Sequence, residues 1–478
     1  MKKQCLIIFG LAFILRLCVH IFVFIQEERS FGFGSDSESY EELALRMIEY
    51  RGYSVYPDSS YIPEPARPPG YPFFIWSFYK LFGQKPIVVT LFQALLDSIV
   101  AVLIFITLAP ISQAAGFIGG LIYALNPHQI LYTTQILSET TFTFFLFLSI
   151  FVLLPVGASR WVVPTMKRII FSSVLLGIAT YIRTIAIYFP IFICGWLIIN
   201  KNRHSSLSGE PVVIRHSAFS ISLLYLLIFI SILTPWMIRN YKCFGTVFFS
   251  TIGDINVAFW NAAPVIARIE KIGEDEVREK RFFEILKEKY NLTDKEVALY
   301  GDDPRISTLM RKEGLKIILK NPGIYVQEHL LGFVKVFVHS ELAYWARLFY
   351  GYQREELRRM SFVSKPALRL VLTGKLREAW RLVLRERIEV LPKCLIFIWL
   401  FTSIYELIVY ILGVRGAIFL FSKNRSFFWL VLITIFYLAF MPGPVGDARF
   451  RVPIEPFLAI LAGFGAYGFI KGYNVDKL

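Results

Sequence analysis

Ten apolar runs, most of them close to the length that crosses a bilayer, constrain this chain more than any motif it carries. The first runs from Cys5 to Ile25, and the others fall at about 86–109, 111–126, 136–155, 169–183, 184–200, 217–237, 392–414, 427–441 and 453–471. Roughly 20 consecutive apolar residues span the hydrocarbon core as a helix, which satisfies its own backbone polar groups where water is absent. With 55% hydrophobic, 16% aromatic and only 18% charged residues among 478, the chain is too apolar for a soluble protein. The expected fold class is an all-α polytopic membrane protein with about ten transmembrane helices.

The net charge of +15 does not point to nucleic acid. Much of the Lys and Arg lies in loops beside apolar runs, where inside-positive topology and anionic headgroups account for it. Loops carrying Arg160, Lys167 and Arg168, then Lys201, Arg203 and Arg215, then Lys423 and Arg425 are expected on the cytoplasmic side. The run after Met1-Lys2-Lys3 is long for a signal-peptide core and lacks a small-residue cleavage site before Gln26. It is expected to be a retained first helix with its N-terminus inside, and an even helix count returns the C-terminus to the same side. Of five cysteines, Cys5, Cys18, Cys194 and Cys394 fall in or beside apolar runs, with Cys243 expected outside, and the spacing shows neither a disulfide framework nor a metal motif.

Three parts follow. Residues 1–237 form an N-terminal transmembrane catalytic module that includes a first outer loop at 26–85 with amphipathic helices. Residues 238–391 form a small extracytoplasmic, mainly helical domain, and 392–478 the C-terminal transmembrane helices. Stretches 275–290, 307–320 and 325–338 have helical apolar spacing, while 365–390 is basic and amphipathic. The last reads as a surface helix drawn to anionic membrane lipid, with acceptor recognition as the alternative.

Chemistry concentrates in the first outer loop. Ser35-Asp36-Ser37-Glu38-Ser39-Tyr40 starts a helix: Ser35 and Glu38 fit a capping box, so Glu38 is read as structural, while Asp36 lies where the helix dipole favours an ionised carboxylate. Tyr40 follows on the same face. About thirty residues on, Ala66-Arg67-Pro68-Pro69-Gly70-Tyr71-Pro72 holds Arg67 among four prolines, Pro63, Pro65, Pro68 and Pro69. A guanidinium grips two phosphate oxygens at once. Taken alone, Asp36 is also compatible with a solvated first-turn residue and Arg67 with a structural loop residue.

Six motifs in one order carry a resemblance. They are Asp36 with Tyr40; Arg67-Pro68-Pro69-Gly70-Tyr71-Pro72; Ser138-Glu139-Thr140; Pro235-Trp236 with Arg239-Asn240-Tyr241; Asn321-Pro322; and Arg449-Phe450-Arg451-Val452-Pro453 with Pro456. The chain resembles the GT-C membrane glycosyltransferases, most nearly the bacterial branch of glycosyltransferase family 39, similar to protein O-mannosyltransferases and lipid A aminoarabinose transferase. The resemblance implies a GT-C fold and a hexosyl- or pentosyltransferase that moves a sugar from a polyprenyl-phosphate donor to an unidentified acceptor (lipid, glycan or protein) on the outer face. Inversion is implied, with Asp36 as base and Arg67 on the phosphate. It also makes Glu139 a second acidic site residue, against helix capping after Ser138. Tyr40 and Tyr71 are taken with the substrate-binding set. Arg183, Arg239, Arg449 and Arg451 are phosphate candidates, with snorkelling or interfacial anchoring as alternatives.

The chain departs from the family in two places. Some relatives have an acidic metal ligand just before the basic position, where this chain has Ala66, with Glu64 further off. No metal is therefore assigned. Ser37 stands where the mannosyltransferase branch has a second acid, so that branch's acceptor is not carried over and a prokaryotic cytoplasmic membrane is the expected location. Arg16 and Asp97, deep in the first two apolar runs, are read as a buried ion pair, and Glu406 as packed against polar neighbours. His128, His329 and His339 lack a metal spacing. A transporter or flippase of lipid-linked sugars is the alternative class, although such proteins more often show related halves.

Overall fold

The computed structural model describes residues 1–25, 35–49, 52–54, 62–154, 164–205, 218–351, 364–385 and 391–470. Arg160 and Arg215 of the expected cytoplasmic loops lie outside these residues, as do the side chains of Lys201 and Arg203. The described residues form helices and one isolated antiparallel bridge, Ser54 to Pro63.

Every expected apolar run coincides with a helix: α1 (Lys2–Ile25), α4 (Pro86–Leu108), α5 (Gln113–Ala124), α7 (Ser138–Leu153), α8 (Met166–Ile182), α9 (Phe189–Ser205), α10 (Ala218–Phe244), α19 (Lys393–Lys423), α20 (Arg425–Phe440) and α21 (Glu455–Ile470). Between them lie α2 (Ser35–Glu49), α3 (Gly70–Phe82) and α6 (Pro127–Tyr132). The all-α polytopic expectation is borne out. Among the described residues α1, α4, α10 and α19 are long and apolar enough to cross a membrane by length and composition. On α19, Phe397, Phe401, Ile404, Leu407 and Ile411 are all exposed. A continuous apolar face of this kind is suited to lipid, not water.

Helix α21 sits at the centre of the bundle, with nearly every side chain buried from Glu455 to Gly465. A methyl at Gly416 would overlap the Leu461 carbonyl, and one at Gly465 the Leu412 carbonyl, so α19 and α21 touch backbone to backbone. The ion pair expected between the first two long helices is present. Arg16 Nε lies 2.6 Å from Asp97 Oδ2, Tyr123 donates to the other carboxylate oxygen, and Arg16 Nη1 reaches the Ala12 and Ala124 carbonyls. Both side chains are fully buried, so each charge stays tolerable only because the other is there.

A second layer of helices covers one end of the bundle: α11 (Ile252–Asn256), α12 (Ala263–Glu270), α13 (Phe282–Tyr290), α14 (Pro304–Lys320), α15 (Pro322–Val338), α16 (Leu342–Tyr350), α17 (Ser364–Leu372) and α18 (Leu376–Val383). Asp303 caps α14 through the Arg305 N–H, with Pro304 at the first helical position, and Pro322 divides α14 from α15. Its own core is built on Ile255, Phe259, Phe282, Leu286 and Met310, and Ala66 of the first loop is buried in that same cluster. The basic amphipathic stretch becomes the α17–α18 pair, while 386–390 lie outside the described residues. Arg369 and Lys365 of α17 grip the buried Glu328 of α15, leaving Leu372, Leu376 and Trp380 exposed.

Candidate active site

The Arg67 loop is held from both sides. Glu64 Oε1 accepts the backbone N–H groups of Ala66 at 2.7 Å and Arg67 at 2.8 Å, and the Tyr53 hydroxyl donates to the Arg67 carbonyl at 3.1 Å. From the covering layer, Ser250 donates to the Ala66 carbonyl and Thr251 N–H to the Pro65 carbonyl. These bonds fix the backbone from which the Arg67 side chain extends. Its Nε donates to Ser39 Oγ at 2.9 Å, its Nη2 lies 2.7 Å from Asp36 Oδ1, and its guanidinium stacks 4.6 Å from the centre of the Tyr40 ring.

Asp36 projects from the first turn of α2, and the Ser35 side chain of the expected capping box lies outside the described residues. Its second oxygen, Oδ2, is taken by Arg449 Nη1 at 2.6 Å. Arg449 Nε in turn lies 3.9 Å from Glu139 Oε1, which is 2.5 Å from Arg183 Nη1. The side chains therefore alternate in sign: Arg67, Asp36, Arg449, Glu139, Arg183. Three cations face two carboxylates, which leaves the row with one positive charge. Burial opposes the charge on Asp36, but Arg449 and Arg67 outweigh it and hold the carboxyl well below its usual range. Arg449 shows the mirror case: burial disfavours its cation, and Asp36, Glu139 and Asp447 more than restore it. The Asp36 side chain is 32% exposed and that of Glu139 only 2%, so Asp36 is the carboxylate a substrate can touch.

The row lies against a cavity of about 1950 Å³. Its lining includes apolar side chains, among them Ile185, Ile187, Phe248, Phe249 and Met441, and polar ones from the covering layer, Asp254, Asp302, Asp303 and Arg311. Asp36, Tyr40, Arg67, Arg183 and Arg449 all line it. Among the described residues no group of three or more His, Cys, Asp or Glu is placed to hold a metal ion. Glu64, the nearest acid to the family's metal position, has an oxygen committed to two backbone N–H groups.

Tyr71, Arg239 and Arg451, three of the expected site residues, do not line the cavity. Tyr71 is fully buried, donates to Gln93 at 2.6 Å and meets the Tyr40 ring edge-on at 4.9 Å, so it supports Tyr40 from behind. Arg239 donates to the carbonyls of Glu64 at 2.8 Å and Tyr53 at 3.1 Å while stacking on Trp236, which braces the Arg67 loop. Arg451 instead enters a buried cluster, of which Glu341 alone reaches the cavity lining. Its Nε is 2.8 Å from Glu455, its Nη2 is 2.6 Å from Glu341 and also contacts Glu406, and it is fully buried. His128 completes the cluster through Glu341. The polar setting expected for Glu406 is this one.

The sequence reading missed the cavity-lining Lys335, Glu341, Asp447, Tyr132 and Tyr344. A faint signal was available for two of them. Asp447 stands two residues before Arg449, and Lys335 and His339 are four apart in the sequence; in the structure Asp447 caps its turn by accepting the Arg449 N–H at 3.1 Å, and His339 follows the last residue of α15.

Comparison with known proteins bears out the resemblance to membrane glycosyltransferases: residues 66–238 match the family described as dolichyl-phosphate-mannose-protein mannosyltransferase. Among solved structures, ArnT from Cupriavidus metallidurans, crystallised with undecaprenyl phosphate, is similar over 82% of this chain and 76% of that one, at 12% identity and a TM-score of 0.39. No curated protein matches the chain.

Proposed function

We propose that this membrane protein transfers a hexosyl or pentosyl group from a polyprenyl-phosphate-linked donor to an acceptor hydroxyl on the outer face of a prokaryotic cytoplasmic membrane, with inversion. The family match over residues 66–238 supports a glycosyltransferase that uses a lipid-phosphate-linked sugar. One observation carries the reading further: both oxygens of Asp36 are held by arginines, Arg67 and Arg449, at the edge of a cavity whose lining is partly apolar.

In this arrangement a carboxylate occupies the place that suits a phosphate. The donor's phosphodiester, with its lipid against apolar lining residues, competes with Asp36 for the two guanidiniums. Binding the donor thus loosens the grip on Asp36, and its carboxyl regains basicity. The acceptor oxygen then attacks the anomeric carbon as its proton passes to Asp36. The bond from that carbon to the phosphate oxygen breaks, and its electron pair leaves on polyprenyl phosphate. Negative charge grows on the leaving phosphate, where Arg67 and Arg449 stabilise it more strongly than in water because the site is partly desolvated. Arg183 holds Glu139 in position to favour the cationic form of Arg449.

The test is direct. Purified protein in lipid nanodiscs, given radiolabelled polyprenyl-phosphate sugar and an extract of acceptor-bearing membranes, is expected to release polyprenyl phosphate as label moves to the acceptor. In sealed vesicles, label that crosses the bilayer still joined to its carrier, with no bond broken, would make the chain a transporter. For the outward face, a single cysteine beside Asp302, in a background without native cysteines, is expected to react with an impermeant thiol reagent in intact cells. Labelling only after lysis reverses that orientation.

A further inference from the structure

Among the described residues six Lys or Arg side chains line the cavity: Arg67, Arg183, Arg305, Arg311, Lys335 and Arg449. Five lie within 4 Å of a carboxylate. Arg67 and Arg449 share Asp36, Arg183 has Glu139, Arg305 is 2.7 Å from Asp303, and Arg311 is 3.6 Å from Asp254. Lys335 differs. Among the described residues it has no carboxylate within that reach, and its ammonium donates to the Val445 carbonyl at 3.2 Å.

The position of Lys335 is fixed by the backbone. Gly332, one turn earlier on α15, lies against the turn containing Gly443 and Gly446, so tightly that a methyl on Gly332 or Gly446 would overlap the other segment. Both turn glycines have positive φ, which side-chain-bearing residues rarely adopt. This contact sets α15 beside residues 443–449, the loop that carries Arg449, and the Lys335 ammonium meets that loop at Val445. The nearest acid, Asp447, is already engaged. It caps the Arg449 turn and lies 3.6 Å from His339, and after the opposing effect of burial His339 is the largest influence lowering its pKa, ahead of Lys335 and Arg449. Burial disfavours the ammonium of Lys335, and Asp447 offsets this only in part.

We propose that Lys335 is an anion-binding residue of the cavity, receiving a phosphate or carboxylate oxygen beside the 443–449 loop that also carries Arg449. Two sources share that chemistry: the carrier's own phosphate, and an acidic group on the acceptor. The inference rests on the cavity and its charges, and holds whether or not transfer takes place.

Amine acylation measures it in the full-length protein, since an acylating reagent attacks the neutral amine and a bound anion holds Lys335 as ammonium. Nanodisc-embedded protein is treated briefly with an amine-acylating reagent, and modification of Lys335 is compared by mass spectrometry with that of exposed Lys271. Protection of Lys335 several-fold beyond Lys271 by polyprenyl phosphate, and not by polyprenol, assigns the site to the carrier. Protection by inorganic phosphate on top of saturating polyprenyl phosphate assigns it to a second anion. In either case Lys335→Met is expected to weaken binding of the protecting anion on the order of tenfold, with Lys335→Arg restoring most of it. Equal acylation of Lys335 with and without both anions, or equal protection of Lys335 and Lys271, overturns the proposal. Failure of polyprenyl phosphate to bind the parent protein at all would instead sink the transferase reading, and the inorganic phosphate arm would still decide Lys335.

Discussion

Arg449 and Arg451 stand two residues apart on one 3-10 turn, Ala448–Arg451, and occupy opposite electrostatic settings. Arg449 joins a row in which three cations face two carboxylates at the edge of a cavity. Arg451 is sealed among three carboxylates, Glu341, Glu406 and Glu455, with His128 as the other basic group. An excess of cations with access to solvent can accept an anionic ligand. A buried cluster in which carboxylates outnumber the arginine repels one, and its cation is needed to keep the acids from repelling each other. The closed cluster joins the segment before α6 to α15, α16, α19 and α21, since Asn126 also donates to Glu455 at 2.8 Å and Gln129 to the Val452 carbonyl at 2.7 Å. Rigid anchoring of one arginine thus places the other.

The comparison breaks most visibly at Asp36. Asp36→Asn keeps the shape and removes the base, so transfer is expected to fall on the order of a hundred-fold or more. Because the substitution also removes the carboxylate that competes for Arg67 and Arg449, polyprenyl phosphate should bind at least as tightly as in the parent protein. Turnover near the parent value in the purified variant would remove Asp36 from the chemistry, and markedly weaker lipid binding would contradict the competition.

Substituting the two arginines in parallel tests the contrast itself. Arg451→Met leaves three buried carboxylates without their main counter-charge, a change of about 3–5 kcal/mol, and is expected to lower the melting temperature in detergent sharply or to abolish accumulation in the membrane. Arg449→Met should melt near the parent protein yet transfer sugar much more slowly. If both variants lost stability alike, the separation of a ligand-binding row from a structural cluster would collapse.

Arg67 supplies a finer distinction. Arg67→Lys retains charge but loses the two-pronged grip, so its kcat/KM should fall between those of the parent and Arg67→Ala. Equal activity in all three would move phosphate binding to Arg183 and Arg449.

The smallest expected effect is in pH dependence. With Asp36 held well below the usual carboxylate range of about 4 by Arg449 and Arg67, the donor-free protein keeps it ionised through mildly acidic conditions. The ion pairs contribute stability that is fully present above the unfolded pKa and is lost progressively as pH falls from there through the depressed folded value. Hence kcat/KM, which reports the free enzyme, should show no acid limb from Asp36 near pH 4, whereas kcat should show one at higher pH because bound phosphate has taken the arginines. Superimposable limbs in the two profiles would mean that the donor does not displace Asp36.

Much of the architecture was legible because bilayer physics acts on local composition. A run such as 86–109 has to be helical whatever surrounds it, and α4 at Pro86–Leu108 follows that expectation closely. The pairing of Arg16 with Asp97 was legible for the same reason, since a charge in that setting demands a partner. Asp36 and Arg67 were also found from local signals, a helix start and a proline-bound arginine. Their direct contact at 2.7 Å lies within one loop of the chain.

The fates of Arg449, Arg451, Arg239 and Lys335 were decided only by the tertiary structure. Nothing in Arg449-Phe450-Arg451 tells which guanidinium meets Asp36, more than 400 positions earlier in the chain, and which meets Glu406 on another helix. A charged side chain acts according to the sum of charges and the access to solvent around it. Both are set by segments distant in sequence, so composition fixes where helices form while packing decides which charge remains open to a ligand.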